Sequence, residues 1–411
     1  MGAYPQSTVR RQDLIKSSGL QPFGAFVKDG MIIPGWSASL ASTIPTTNLT
    51  AMYWSKVGDS VLAAGSDGRI YAGTTGLSLK QIFADGGNSP FVFETYNTTP
   101  RGMLISGNRH VTVRDNMWAS GTFSVELACG TTRRGRLYGG DAAMPYTLRW
   151  SGPKDYKDWT EGISGAGSLI LEPTGGYIID LFDFEDKLVV FRESSIMRFS
   201  VYGDPESFKE IDALRVPDVA RNTMAIAGDG ILFFVSDGLM RYRGGKATRI
   251  EGLITDDLAS PVSAFVCSNR YYFICGSSKS LGRSVVYVYD VLCDCYQIID
   301  IPAYFISLDK QTVLAYTDSE IYRLRSNYEK IQYGVISGNI DFGTDKRKLA
   351  TLLEVDCDED VTVKISDGEH VRTIDCPNGR TRLNMRGNRF TVTFCGSTGC
   401  VRSAYLSAEV T

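Results

Sequence analysis

His110 and His370 are the only histidines in the chain, and they set the first limit on its chemistry. A Ser-His-acid or Cys-His centre needs an imidazole base held beside its nucleophile, and neither histidine lies in a recognisable motif. The sequence has no G-x-S-x-G, so the nucleophile elbow is missing. It has no GxxxxGK[ST] phosphate loop either. Nine cysteines include only two close pairs, Cys293 with Cys295 and Cys395 with Cys400, and no histidine stands near them. Structural zinc takes four Cys or His ligands in spaced pairs, so neither a metal nor a cofactor is expected. Carboxylates remain, since glycosidases work with two of them across a cleft. Asp183, Glu185, Asp186, Glu193, Asp229 and Asp237 are the candidates. Each reads more simply as a solvated turn acid. The acidic run "DCDED" (356–360) lacks the glycine-containing loop of a calcium site and reads as a surface turn.

Positive residues form short clusters. Arg10 and Arg11 are one. Arg133, Arg134 and Arg136 in "TTRRGR", and Lys346, Arg347 and Lys348 further on, are the others. The two later clusters are candidate contacts to DNA phosphates or to a protein partner. The formal net charge of −3 gives no global basic field that would advertise tight nucleic-acid binding.

The elements that would position these groups are written in a repeat. "LRWSGPKDYKDW" (148–159) lies over "MRFSVYGDPESF" (197–208) at an offset of 49 residues. Arg149, Trp150, Ser151, Asp155 and Trp159 fall on Arg198, Phe199, Ser200, Asp204 and Phe208. Related phrases recur, and with Ile70, Val111, Arg149, Arg198, Arg241, Tyr287 and Tyr322 as marks the spacings are about 41, 38, 49, 43, 46 and 35. A four-stranded propeller blade takes roughly 40–50 residues. Around most marks an apolar run, a tight turn and a second apolar-aromatic run follow one another, as in "ILFFVSDGLMRY" (231–242). Asp237 and Gly238 supply that turn, because a tight hairpin needs positive φ. The first aromatic of the phrase is expected to pack between blades. The aspartate is expected to accept turn amides, and the second aromatic to return as the outer strand begins.

The expected fold is therefore all-β: a propeller of about six or seven blades followed by a small antiparallel β-sandwich. Residues 1–50 read as an N-terminal arm and first strand, 51–332 as the propeller, and 333–411 as the sandwich. In the last segment "VTVKIS" and "RFTVTF" alternate strictly without the blade phrase. No apolar stretch reaches the roughly 18 residues of a membrane span, and the start lacks the apolar core of a secretory signal.

The runs "FRESSIMRFSVYGDPESF" (191–208) and "ILFFVSDGLMRYRGGKATRIEG" (231–252) resemble the β-propeller tail proteins of tailed bacteriophages. These are the nozzle, or packaged-DNA-stabilisation, proteins below the portal and adaptor rings. "LRWSGPKDYKDW", "SGNIDFGTDKRKLATLLEV" and "MRGNRFTVTF" are similar to them as well, so the likeness covers roughly residues 50–411. The resemblance implies a structural virion protein of the tail or neck, assembled in the host cytoplasm, without catalysis. It implies a homo-oligomeric ring, usually sixfold, stacked on portal, adaptor and other tail proteins. Its contact with packaged DNA would be transient and non-specific, with no membrane involved. The rival readings are a carbohydrate-binding or glycoside-hydrolysing propeller and a scaffold propeller that binds other proteins.

Overall fold

The computed structural model describes residues 8–16, 20–28, 31–43, 49–56, 59–83, 91–95, 101–114, 117–162, 165–203, 205–326 and 333–410. The chain forms two compact units. The larger holds residues 40–284 and 302–323, and the smaller holds 1–39, 285–301 and 324–411.

The larger unit is a β-propeller. Its first blade is the four-stranded sheet Leu49–Ser55, Ser60–Gly65, Ile70–Gly73, Lys80–Phe83. The second blade has three strands, Phe91–Thr95, Arg101–Arg114 and the first half of Met117–Arg133. That last strand runs on, past a register shift between Leu127 and Cys129, to pair with Arg136–Asp141. It thereby becomes the inner strand of the third blade, which Thr147–Trp150 and Gly167–Ile170 complete. The fourth blade spans Ile178–Phe184 to Lys209–Arg215, and the fifth Ala225–Ala227 to Lys246–Arg249. The hairpin Leu258–Cys267 with Tyr271–Ser278 takes the sixth position. The seventh consists of Phe305–Asp309, Thr312–Tyr316 and Glu320–Ser326, and an early strand, Trp36–Thr43, joins it at the outer edge.

Blade-to-blade contacts close the circle. Leu62 and Ile70 pack on Leu104 and Val111, joining the first two blades. Leu148 and Trp150 pack on Leu181 and Leu188 of the fourth, and Phe191 meets Phe233 of the fifth. The Tyr272 hydroxyl donates to the Thr223 carbonyl at 2.7 Å. Ser263 Oγ donates to the Tyr304 carbonyl at 2.7 Å. Leu314, Tyr316 and Ile321 of the last blade then pack on Met52 and Val61 of the first. Of the seven sequence marks, Ile70, Arg149, Arg198, Arg241 and Tyr322 lie on the third strand of their blades. Tyr287 lies on Arg283–Asp290, the third of four consecutive strands after Leu258. Val111 is the exception, on a second strand, because its blade is built differently.

The smaller unit is a sandwich of two sheets around one core that includes Ile32, Val335, Leu353, Val363, Phe394 and Leu406. It reaches beyond residues 333–411. Thr8–Asp13 pairs along Val401–Val410, Gln21–Phe23 pairs with Tyr333–Ile336, and Leu14 and Ile15 are buried in the core. The N-terminal segment expected as an arm thus supplies strands to this unit. Arg11 fixes the first of them, lying over the Tyr405 ring at 3.9 Å and 2.5 Å from Glu354, which Arg380 also approaches at 2.7 Å. These strands are three to six residues long and pair with partners hundreds of residues away, so local alternation does not reveal them. Among the described residues, no helix is long and apolar enough to cross a membrane.

Candidate functional site

The repeated phrase forms a latch between blades. Trp150, Phe199 and Tyr242 are all buried at the same place, on the third strands of blades three, four and five. The second aromatic of each phrase turns back to the preceding blade. Phe208 stands edge-on to Trp150, with centroids 5.2 Å apart. Trp159 leans on Phe123 of the second blade at 5.9 Å. The polar members of the phrase hold the loops between these aromatics. Arg149 pairs with Asp141, whose other oxygen accepts the Ala143 and Met144 amides at 2.8 Å. Arg198 pairs with Asp212 across the outer strand pair, at 2.8 Å through Nε. Ser151 Oγ accepts the Leu137 amide at 3.0 Å, and Asp155 accepts the Lys157 amide at 3.0 Å. Ser200 ends its strand opposite Lys209, and Asp204 lies outside the described residues. Asp237 and Gly238 make the expected hairpin turn. Gly238 has φ of 119°, and a Cβ there would stand 2.4 Å from Thr255 Cγ2, so both backbone and space demand glycine.

His110 belongs to the same joint. Its ring stacks on Phe123 at 4.4 Å and 13°, with Tyr156 edge-on at 6.4 Å. Gly121 leaves room for it, since a Cβ there would fall 2.6 Å from His110 Cε1. The ring is buried, and among the described residues Nδ1 has no hydrogen-bond partner. Burial, then the charge of Lys157, pushes its pKa down to about 4. A base so reluctant to take a proton is a packing residue.

The basic clusters separate into buried and exposed members. Arg133 is buried, and its guanidinium bridges to Asp183 and, at 2.6 Å, to Asp186 of the next blade. Arg136 is buried and donates to the Ser151 and Gly165 carbonyls at 2.8 and 2.6 Å. Neither is open to DNA. Arg134 remains half-exposed, 3.0 Å from Asp186 and over the Tyr202 ring at 4.6 Å. Lys346 and Arg347 are exposed, but Lys348 is buried, its ammonium donating to the Lys346 and Asn388 carbonyls at 2.7 and 2.6 Å. Its burial corrects the expectation that all three cations are candidate contacts to DNA or a partner. Local sequence did not separate them because the strand beginning at Lys348 sets which side chain turns inward.

The candidate carboxylates are dispersed. Besides the pair on Arg133, Glu185 accepts the Gly244 amide at 2.9 Å, and Asp229 pairs with Arg243. Glu193 accepts the Tyr177 amide at 3.1 Å and lies 3.4 Å from Arg221. In "DCDED", Asp358 meets Arg402. Burial would raise Asp360, but donors from Ser397, Thr398 and Gly399 outweigh it and hold the carboxyl below the usual range. The described residues contain no group of three His, Cys, Asp or Glu side chains placed to hold a metal. All nine cysteines are free thiols.

One face of the propeller carries a cavity of about 730 Å³ that sequence reasoning missed. Asn108, Glu126, Asp141, Tyr177 and Arg221 contribute to its lining, from blades two to four and the start of the fifth. Met144 and Tyr177 are exposed nearby, and the Tyr146 and Tyr177 rings meet at 5.0 Å. On the inner strand of the fourth blade, burial pushes Asp180 up to about 7, opposed by its bond from the Leu181 amide. Burial, and then the Asp180 charge, push the neighbouring Cys129 thiol up. The lining comes from strands and loops far apart in sequence, so no motif announces it.

The strand order and the closed circle of blade contacts define a β-propeller carrying a β-sandwich unit. No family model matches the sequence, and no curated protein matches it. Among solved structures the chain is similar to the β-propeller domain of Cps50 (Swd1) from Myceliophteria thermophila. The identity is 11% and the TM-score 0.47, over 69% of this chain and 99% of that one. It is also similar to the N-terminal domain of Nup159, with 11% identity and a TM-score of 0.41, over 71% and 96% of the two chains. Likenesses this distant carry no argument here.

Proposed function

We propose that this chain is a structural virion protein, a subunit of the nozzle or head-completion ring through which a tailed phage retains and passes its genome. The reading combines the sequence resemblance with one observation. The conspicuous charged residues are spent on the propeller framework. Arg149 and Arg198 pair with aspartates inside their own blades, and Arg133 with those of the next blade. In this reading the protein is no enzyme; its surface carries its function, and copies join head to tail in a closed ring, most simply sixfold. A heterologous contact of that kind closes when the rotation per subunit divides a full turn. A second reading, a scaffold propeller, draws on the exposed Met144 and Tyr177 beside the propeller cavity. Imaging of intact particles separates the two. The proposal expects several copies of the chain in a ring at the neck or tail. A single copy, or absence from particles, overturns it.

A further inference from the structure

Three irregularities in strand pairing meet at the cavity on the propeller face. Between Gly107 and Arg109 the ladder jumps, so that residues 123–126 stand opposite Asn108 alone. Gly107 makes the bend with φ of 62°. Ala128 is an unmatched residue where Met117–Arg133 crosses from the second blade to the third. Ile179 is another, at the start of the fourth blade and next to Ile178 of the lining. Bulges re-aim side chains and gather beside functional sites. Here they bring Asn108, Glu126 and Ala128 into one lining. Among the described residues, neither the Glu126 carboxylate nor the Asn108 carboxamide has a hydrogen-bond or ion-pair partner. The other charges of the lining are answered. Asp141 is bound to Arg149 and to two backbone amides. Arg221, the cation of the lining, lies 3.4 Å from Glu193. Tyr177 adds an exposed ring, backed by Tyr146 at 5.0 Å. Ala128, Ala143 and Pro145 supply an apolar wall.

From this combination we propose that the cavity binds a small aliphatic cation, an ammonium or guanidinium group on a short carbon stem, with Glu126 as its counter-charge. The free carboxylate calls for positive charge, and the Asn108 carboxamide oxygen accepts a second N–H from it. The face of the Tyr177 ring attracts the same charge. The stem lies along the apolar wall, as the stems of long cationic side chains do. The volume of about 730 Å³ falls within the range of small-molecule sites. An anion would meet Glu126, and a neutral sugar would leave its charge unanswered. The site is complete within one copy of the chain, so it does not depend on the assembly proposed above.

The test uses the full-length protein and agmatine, a guanidinium and an ammonium joined by a short carbon stem. Saturation-transfer NMR reports contact, and calorimetric titration gives the affinity. The wild type is expected to bind saturably, and more weakly as salt rises. Glu126→Gln should weaken binding at least about tenfold, because a hydrogen-bonded charge is lost. Tyr177→Leu keeps the bulk, removes the aromatic face and should weaken binding by about two- to fivefold. Glu251→Gln, an exposed acid elsewhere on the propeller, should bind as wild type, and equal melting temperatures confirm folding. No saturation transfer to agmatine in the wild type, or an unchanged affinity in Glu126→Gln, overturns the proposal. Tighter binding of glucose or of glutarate than of agmatine also overturns it, in favour of a neutral polyol or an anion.

Discussion

Phe208 stands at 67° to Trp150, with ring centroids 5.2 Å apart, although the two residues belong to successive blades. Trp159 and Phe123 repeat the relationship one blade earlier, tilted at 58°. The recurring phrase is therefore the written form of a joint. Its first aromatic receives the next blade, and its second is delivered to the blade before.

Truncation at this joint is the most direct test. Trp150→Ala should cost about 3–5 kcal/mol, as removal of a buried large aromatic does, and should lower the urea midpoint accordingly. Phe208 is only partly buried, so Phe208→Ala should cost less. In a double-mutant cycle the pair should couple by roughly 0.5–1.5 kcal/mol. Additive effects would show that the rings are neighbours without being partners.

Two titratable groups give opposite pH dependences. His110 has a folded pKa of about 4, below the unfolded value of 6.5, so the unfolded chain holds the proton more firmly. Its contribution is complete above about pH 6.5 and is lost as pH falls through 4. His110→Phe should preserve the stack and flatten that acid loss in thermal melts. Asp180 has a folded pKa of about 7, above its ordinary 3.8. Its contribution is present at low pH and is lost as pH rises through 7. Asp180→Asn should thus raise the melting temperature at about pH 8 and leave it nearly unchanged at about pH 4.

Arg133 tests the electrostatic side of the blade joint. Its side chain is 6% exposed, whereas Asp183 and Asp186 are 41% and 71% exposed. Replacing both aspartates with asparagine leaves a buried guanidinium without counter-charge. A fully buried pair broken in this way is strongly destabilised, and solvent screening of the exposed aspartates makes the expected loss much smaller. A small loss by denaturant titration, shrinking as salt rises, is the expected result; no loss would mark Arg133 as packing alone.

The N-terminal strand makes a claim about the isolated chain. Hydrogen exchange should find amides of residues 9–13 protected without any partner protein, because Thr8–Asp13 pairs along Val401–Val410. Arg11→Ala, which removes both the Glu354 pair and the stack on Tyr405, should speed their exchange. Rapid exchange in the wild type would return this segment to the status of a free arm.

Much of the propeller was legible because a blade is a local object. "VLAAGSDGRIYAG" places an apolar run, a turn and a second run within 13 residues, and they form adjacent strands. The turn at Asp237 and Gly238 was legible for the same reason. The second blade was not, since Met117–Arg133 is an unbroken run that serves two blades, and nothing in its pattern marks the crossing. Likewise, adjacent cations such as Lys346, Arg347 and Lys348 look equivalent until a strand's register assigns one to the interior. The aromatic latch was half legible: alignment identified Trp150 and Phe199 as equivalent, but not that Phe208 reaches back across a blade boundary.

The outer strand of the seventh blade, Trp36–Thr43, precedes the first blade in the chain, while its neighbour Glu320–Ser326 comes near the end. Translation therefore releases this strand almost 280 residues before its partner exists. During that interval its hydrogen-bonding edge is open to any other nascent chain, the hazard of all unpaired strands. Ring closure is also the contact of greatest sequence separation in the propeller, so it bears the largest loop-closure entropy. A circular permutant that begins at the first blade places residues 36–43 at the end of the chain, so the closing strand would emerge after its partner. The intact circle would be the same, but the nascent chain would no longer have to wait for its own end.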